Sequence, residues 1–129
     1  MAKENLLYSK DHEWVSREGG LVTVGVTDYA QHELGDVVFV DLPAAGKELK
    51  KGDPAANIES VKAVSDVYAP VAGKIIEGNA KLSGNPELVN QDPFGAGWIF
   101  KMSMNQASEL DELMDLKKYE EYLKGIAGE

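Results

Sequence analysis

The chain has 129 residues, 43% of them hydrophobic and 27% charged, which is the size of one compact domain built on one core. Its apolar runs, such as Val37-Val38-Phe39-Val40, fall far short of the roughly 20 residues of a membrane span. The formal charge of -9, the lack of cysteine and the presence of only two histidines, His12 and His32, argue against nucleic acid as a partner, exclude disulfides and thiolate chemistry, and leave no imidazole pair at helical metal-ligand spacing.

The opening Met1-Ala2-Lys3-Glu4-Asn5 has neither an apolar signal core nor an Arg-rich transit character, so the chain is expected to stay where it is made. Tyr8 to Val26 reads as a β-hairpin, with arms at His12–Val15 and Leu21–Val26 around a Glu18-Gly19-Gly20 turn. Thr27 and Asp28 supply N-cap chemistry for a short helix over Tyr29 to Leu34, and Gly35 stops it. Val37 to Leu42 is β-rich, and Gly52-Asp53-Pro54 marks the next turn. Ala55–Ser60 and Ser65–Pro70 flank Val61-Lys62-Ala63-Val64, which predicts a hairpin over about 55–70 with Lys62 near its tip. A strand is expected over Ala69–Gly78, one helical turn over Asn85–Val89, a loop over Asp92–Gly97 and a last strand over Trp98–Met102. The period then changes, and Leu110, Leu113, Met114, Leu116, Tyr119, Tyr122 and Leu123 predict an amphipathic helical tail over about 108–124, capped by Ser108 and packed on the sheet.

Val38–Leu42 followed by Ala45-Gly46-Lys47 is echoed by Val67–Pro70 followed by Ala72-Gly73-Lys74. The echo fits two similar β-layers, a flattened sandwich or barrel. The fold class is therefore mainly β, one domain over 1–129, with an N-terminal hairpin, a short helix and C-terminal helices.

No Walker, dinucleotide or nucleophile-elbow pattern is present, so an autonomous catalyst is poorly equipped. Arg17 is the only arginine, and most of the lysines read as solvated surface charge. Lys62 is distinguished by its small neighbours at a hairpin tip, a place where an acylating enzyme can surround its amine. Acylation removes the ammonium charge and leaves a long flexible arm.

Glu59-Ser60-Val61-Lys62-Ala63, then Ser65-Asp66 and Tyr68-Ala69-Pro70-Val71-Ala72-Gly73, resemble the lipoyl-lysine segment of the glycine cleavage system H protein family. Tyr8–Val15, Val24–Gln31, Leu34–Pro43, Pro86–Asn90 and Gly97–Lys101 agree with the same family in order along nearly the whole chain. Biotin carriers typically set the lysine between methionines, and lipoyl domains of 2-oxo acid dehydrogenases typically read Asp-Lys-Ala. Here Val61 and Ala63 flank it.

The resemblance implies a lipoyl/biotinyl-type barrel-sandwich hybrid and a non-catalytic, monomeric carrier with lipoate in amide linkage on Lys62. It implies aminomethyl transfer from a pyridoxal-phosphate glycine decarboxylase to a tetrahydrofolate-dependent aminomethyltransferase. Reoxidation by a flavin dihydrolipoamide dehydrogenase follows, and a lipoate ligase or a lipoyl/octanoyl transferase installs the group. Glu13 and Asp66 match positions that contact the loaded arm. Where some members place a histidine, this chain has Glu33 beside His32, so both histidines are assigned packing or solvent roles; Trp14 and Trp98 are expected as core anchors. Two other functions use the same residues: a relay donating lipoate to other enzymes, and a non-lipoylated binding module. The expected location is a prokaryotic cytoplasm, or the mitochondrial matrix for a processed eukaryotic chain.

Overall fold

The computed structural model describes residues 5–126. Nine strands run as β1 (Leu7–Tyr8), β2 (Glu13–Glu18), β3 (Leu21–Val26), β4 (Val37–Asp41), β5 (Glu48–Leu49), β6 (Pro54–Ser60), β7 (Val64–Tyr68), β8 (Gly73–Gly78) and β9 (Phe100–Ser103). Helices α1 (Asp28–Leu34), α2 (Lys81–Gly84), α3 (Leu88–Gln91) and α4 (Leu116–Ile126) and a 3-10 segment (Ala107–Glu112) complete the order. The strands form two open antiparallel sheets, β1-β2-β3-β9-β8-β5 and β4-β6-β7. The mainly β class holds, and the arrangement is two open sheets, not a closed barrel. Among the described residues no helix is long and apolar enough to cross a membrane.

The core follows from the alternation of the strands. Val22, Val24 and Val26 of β3, Ile58 of β6, Val67 of β7 and Phe100 of β9 are all buried in one apolar cluster. A second cluster joins Leu6, Tyr8, Trp14 and Tyr119, with Leu116, Tyr122 and Leu123 of α4 against it. The echoed segments acquire a structural meaning: each leaves the three-stranded sheet and enters the larger one, where β5 and β8 pair through Glu48↔Lys74 and Leu49↔Gly73.

Trp14 is fully buried and donates its indole N–H to the Pro93 carbonyl at 2.9 Å. Gly25 faces it across the β2–β3 ladder, and a Cβ on Gly25 would lie 2.6 Å from three atoms of the indole. Gly25→Ala should therefore cost about 2–3 kcal/mol by overpacking. Gly20→Ala, where a Cβ meets nothing within 4 Å, is the near-neutral partner in the same urea-unfolding comparison.

Several boundaries differ from the sequence expectation. The strand expected from Ala69 begins at Gly73, because Ala69 and Pro70 turn the chain between the sheets, and the last strand begins at Phe100 rather than Trp98. Trp98 is half-buried, packed against the edge of the second cluster with the Lys101 ammonium 5.0 Å from its ring centre, so it anchors the core only from its margin. The tail is not one helix capped by Ser108. Ser108 lies inside the 3-10 segment, Tyr8 and Met114 exchange two 2.8 Å backbone hydrogen bonds, and Asp115 caps α4 by accepting from the Lys118 N–H at 2.9 Å.

Candidate functional site

Lys62 sits at the turn between β6 and β7, exposed, and its amine has no ion-pair or hydrogen-bond partner among the described residues. The turn is rigid because Ser60 organises it. Ser60 N–H donates to the Ala63 carbonyl at 2.8 Å, and its hydroxyl oxygen accepts from Ala63 N–H at 3.1 Å. Val61 N–H donates to the Asp36 carbonyl at 3.0 Å, tying the tip to the entry of β4.

The aliphatic stem of Lys62 rests on Gly35. A Cβ there would be 3.1 Å from the lysine Cε, and Gly35 holds φ at 79°, a backbone region suited to glycine. Asn90 fixes this seat by donating to the Gly35 carbonyl at 2.8 Å and to Gln31 Oε1 at 3.0 Å, while its own oxygen accepts from Val37 N–H at 2.9 Å. Gly35 and Asn90 thus position the lysine root although neither carries reactive chemistry.

A groove of about 410 Å³ has Ala63, one residue past Lys62, among its lining residues. Its walls are the β7 edge, α1 and the turn before β2, and they carry Glu13, Glu33 and Asp66 together with His12, Tyr29 and Ser65. With Asp11, four carboxylates against one imidazole suit a cation.

Glu13 is the buried member, only 2% exposed. Its Oε2 accepts from the Tyr68 N–H at 2.6 Å and its Oε1 from the Ser9 hydroxyl at 2.9 Å, so it pins the base of the lysine hairpin to the N-terminal turn. Burial pushes its carboxyl up to about 7, against the two hydrogen bonds that favour ionisation. Asp66 is exposed and accepts from the Asn57 amide at 3.0 Å, its cross-strand neighbour.

The structure thus sets Lys62 next in the chain to Ala63, which lines the groove, and lines that groove with both Glu13 and Asp66. Glu33 is there as well, whereas His32 is exposed, 3.7 Å from Asp28, and lines a separate apolar groove between α1 and α4. His12, expected in a packing or solvent role, packs against Tyr29, Tyr119 and Tyr122 and also lines the groove beside Glu13. Ser60 and Asn90 were visible only as members of matching segments. Their positioning roles depend on pairings that no local pattern encodes.

The glycine cleavage H-protein family model matches residues 6–126. The chain is 56% identical over 115 residues to the glycine cleavage system H protein of Thermotoga maritima, covering 89% of this chain and 93% of that protein. It is 59% identical over 126 residues to the probable glycine cleavage system H protein of Pyrococcus horikoshii, covering 96% and 93%. The crystal structure of a glycine cleavage system H protein from Mycobacterium marinum superposes with a TM-score of 0.87 at 34% identity, covering 95% of this chain and 99% of that one. On these matches the chain belongs to the glycine cleavage H-protein family, the non-catalytic lipoyl carriers of the glycine cleavage system.

Proposed function

We propose that Nζ of Lys62 is the attachment point of lipoate, in amide linkage, and that the groove beside it receives the loaded arm. The observation that carries this reading is the juxtaposition of a free, exposed amine with an acid-lined groove to which the next residue, Ala63, contributes. The residues fit the group: Lys62 is exposed, and its amine has no ion-pair or hydrogen-bond partner among the described residues. Once bound, lipoate supplies the redox sulfur that a cysteine-free chain lacks.

The chain's own residues then have distinct tasks. Ser60 and Gly35 hold the lysine root in a fixed direction. Glu13 accepts a cationic aminomethyl nitrogen through a charge-assisted hydrogen bond; each of its oxygens receives one hydrogen bond from the protein, which leaves lone pairs for a further donor. Asp66 offers a second, solvated carboxylate at the groove's edge. The chain acts as one monomeric domain. Its partners are the pyridoxal-phosphate glycine decarboxylase, the tetrahydrofolate-dependent aminomethyltransferase, dihydrolipoamide dehydrogenase and the enzyme that installs the lipoyl group. A prokaryotic cytoplasm is in keeping with its bacterial and archaeal relatives.

Reconstitution tests the reading. Lipoylated chain should support carbon dioxide release from glycine only when the decarboxylase is added, and Lys62→Arg taken through the same lipoylation should support none. Turnover of glycine by the purified apoprotein alone, or by the Lys62→Arg chain with the decarboxylase, would overturn it.

A further inference from the structure

His12 is the one non-glycine residue, among the described residues, with its backbone in the left-handed region, at φ 66°. Such strain collects at functional sites. Its ring lies against Tyr29, with 4.6 Å between ring centres, and against Tyr119 and Tyr122 of α4 at 5.8 and 6.0 Å. Its Nδ1 is 2.9 Å from the Tyr119 hydroxyl, which is in turn 2.7 Å from the Thr27 hydroxyl.

The protons on this chain can be counted. Thr27 is buried at 1% exposure, and its oxygen already accepts from the Ala30 N–H as the cap of α1. Its single hydroxyl proton therefore needs an acceptor within the protein, and Tyr119 Oη is the one in hydrogen-bonding contact among the described residues. Thr27 donates to Tyr119, so the phenol proton goes on to His12 Nδ1. That nitrogen is bare, and the ring carries its proton on Nε2.

We propose that Tyr119 is a positioning residue for the groove, fixing His12 through the Thr27–Tyr119–His12 chain as the uncharged Nε2–H tautomer, so that the wall beside Glu13 presents carboxylates and no competing cation. The inference rests on the reading of the groove as the seat of a cationic arm. It makes α4, remote from Lys62 in sequence, part of the site. The surroundings agree. Burial lowers the proton affinity of His12, outweighing the pull of Asp11 and Glu33. Glu13 and Asp66 are the other carboxylates of the groove, and Tyr29, Tyr119 and Tyr122 are the phenols around the ring. Burial pushes the Tyr119 phenol up to about 12, so it stays a donor throughout the neutral range.

Nitrogen-15 NMR of the histidine rings in the apoprotein tests the tautomer. His12 should show a bare Nδ1 and a protonated Nε2, and exposed His32 serves as the internal reference. In Tyr119→Phe, His12 should become a tautomer mixture and take up its proton at higher pH, since a hydroxyl donating to Nδ1 favours the neutral ring. Thr27→Val should also relax the tautomer, whereas Thr27→Ser should retain it. A protonated Nδ1 in the wild type, or a His12 spectrum unchanged by Tyr119→Phe, would overturn the proposal.

The positioning role is read on lipoylated chain that has been reduced and S-alkylated with 2-bromoethylamine, so that the arm ends in an ammonium group. Amide shifts at Glu13 and Ser65 should report docking at pH 7.5 in the wild type and in Thr27→Ser, with the docked-to-free ratio about fivefold lower in Tyr119→Phe. Equal docking in wild type and Tyr119→Phe overturns the role of Tyr119. No docking in the wild type overturns the seat on which the inference rests, and the tautomer spectrum tells the two failures apart.

Discussion

Expressed with lipoate and a lipoate ligase, the chain should gain a single acyl adduct, located on Lys62 by peptide mapping, and Lys62→Arg should gain none. Twelve lysines are present, so the prediction is one of selection. Lys51 is engaged with Glu112, and Lys101 is shared between Glu77 and the face of Trp98. Lys62 combines an unengaged amine with a root held on both sides, by the Ser60 turn and by Gly35. An attacking amine gains most when its stem is already oriented. Arginine preserves charge and length but presents a guanidinium that stays protonated, so the replacement tests nucleophilicity with little change in fold. Adducts spread over several lysines, or one retained in Lys62→Arg, would remove Lys62 from the centre of the site.

The second large effect concerns the buried carboxyl of Glu13, whose proton affinity is raised from the ordinary 4.5 to about 7. The folded state therefore binds this proton more tightly than the unfolded state does. Its contribution to stability is fully present below pH 4.5 and is lost as the pH rises through 7, a change of roughly 3 kcal/mol. Glu13→Gln removes the titration while keeping an amide oxygen able to accept from Tyr68 N–H. The difference in urea-unfolding free energy between the two proteins should shift by that amount in favour of wild type as the pH is lowered from 8.5 to 4.5. A pH-independent difference would show that Glu13 titrates normally. The same carboxyl holds an ammonium group by a charge-assisted hydrogen bond only when ionised, so arm docking should weaken as the pH falls below 7, in the direction opposite to stability.

The legible parts of this molecule were those encoded by neighbours in the chain. Thr27 and Gly35 bound α1 as their cap chemistry predicts, β2 and β3 pair around Gly19-Gly20, and Lys62 stands where its small neighbours place it. Strands β1 and β5, two residues each, leave no periodic signature, and their pairing depends on distant partners. Helices α2 and α3 are single turns without side-chain caps, so only α3, overlapping the helical turn expected over 85–89, was anticipated at all. The groove was half legible. Glu13 and Asp66 were found through the order of matching segments, but His12 joins the site through a left-handed backbone and a phenol 107 residues away.

The hydrogen bond from Val61 to Asp36 means that the lysine's presentation is written in three dimensions. A peptide copied from residues 57–68 would keep every residue of the tip and lose β4, the Asp36 carbonyl and the glycine under the lysine stem. What remained would be a lone two-stranded hairpin, marginal in water. Any enzyme that recognises the tip by its shape is thereby confined to chains that have already folded, and the modification proposed at Lys62 would be a mark of completed assembly, with no linear tag that could be transplanted to another protein.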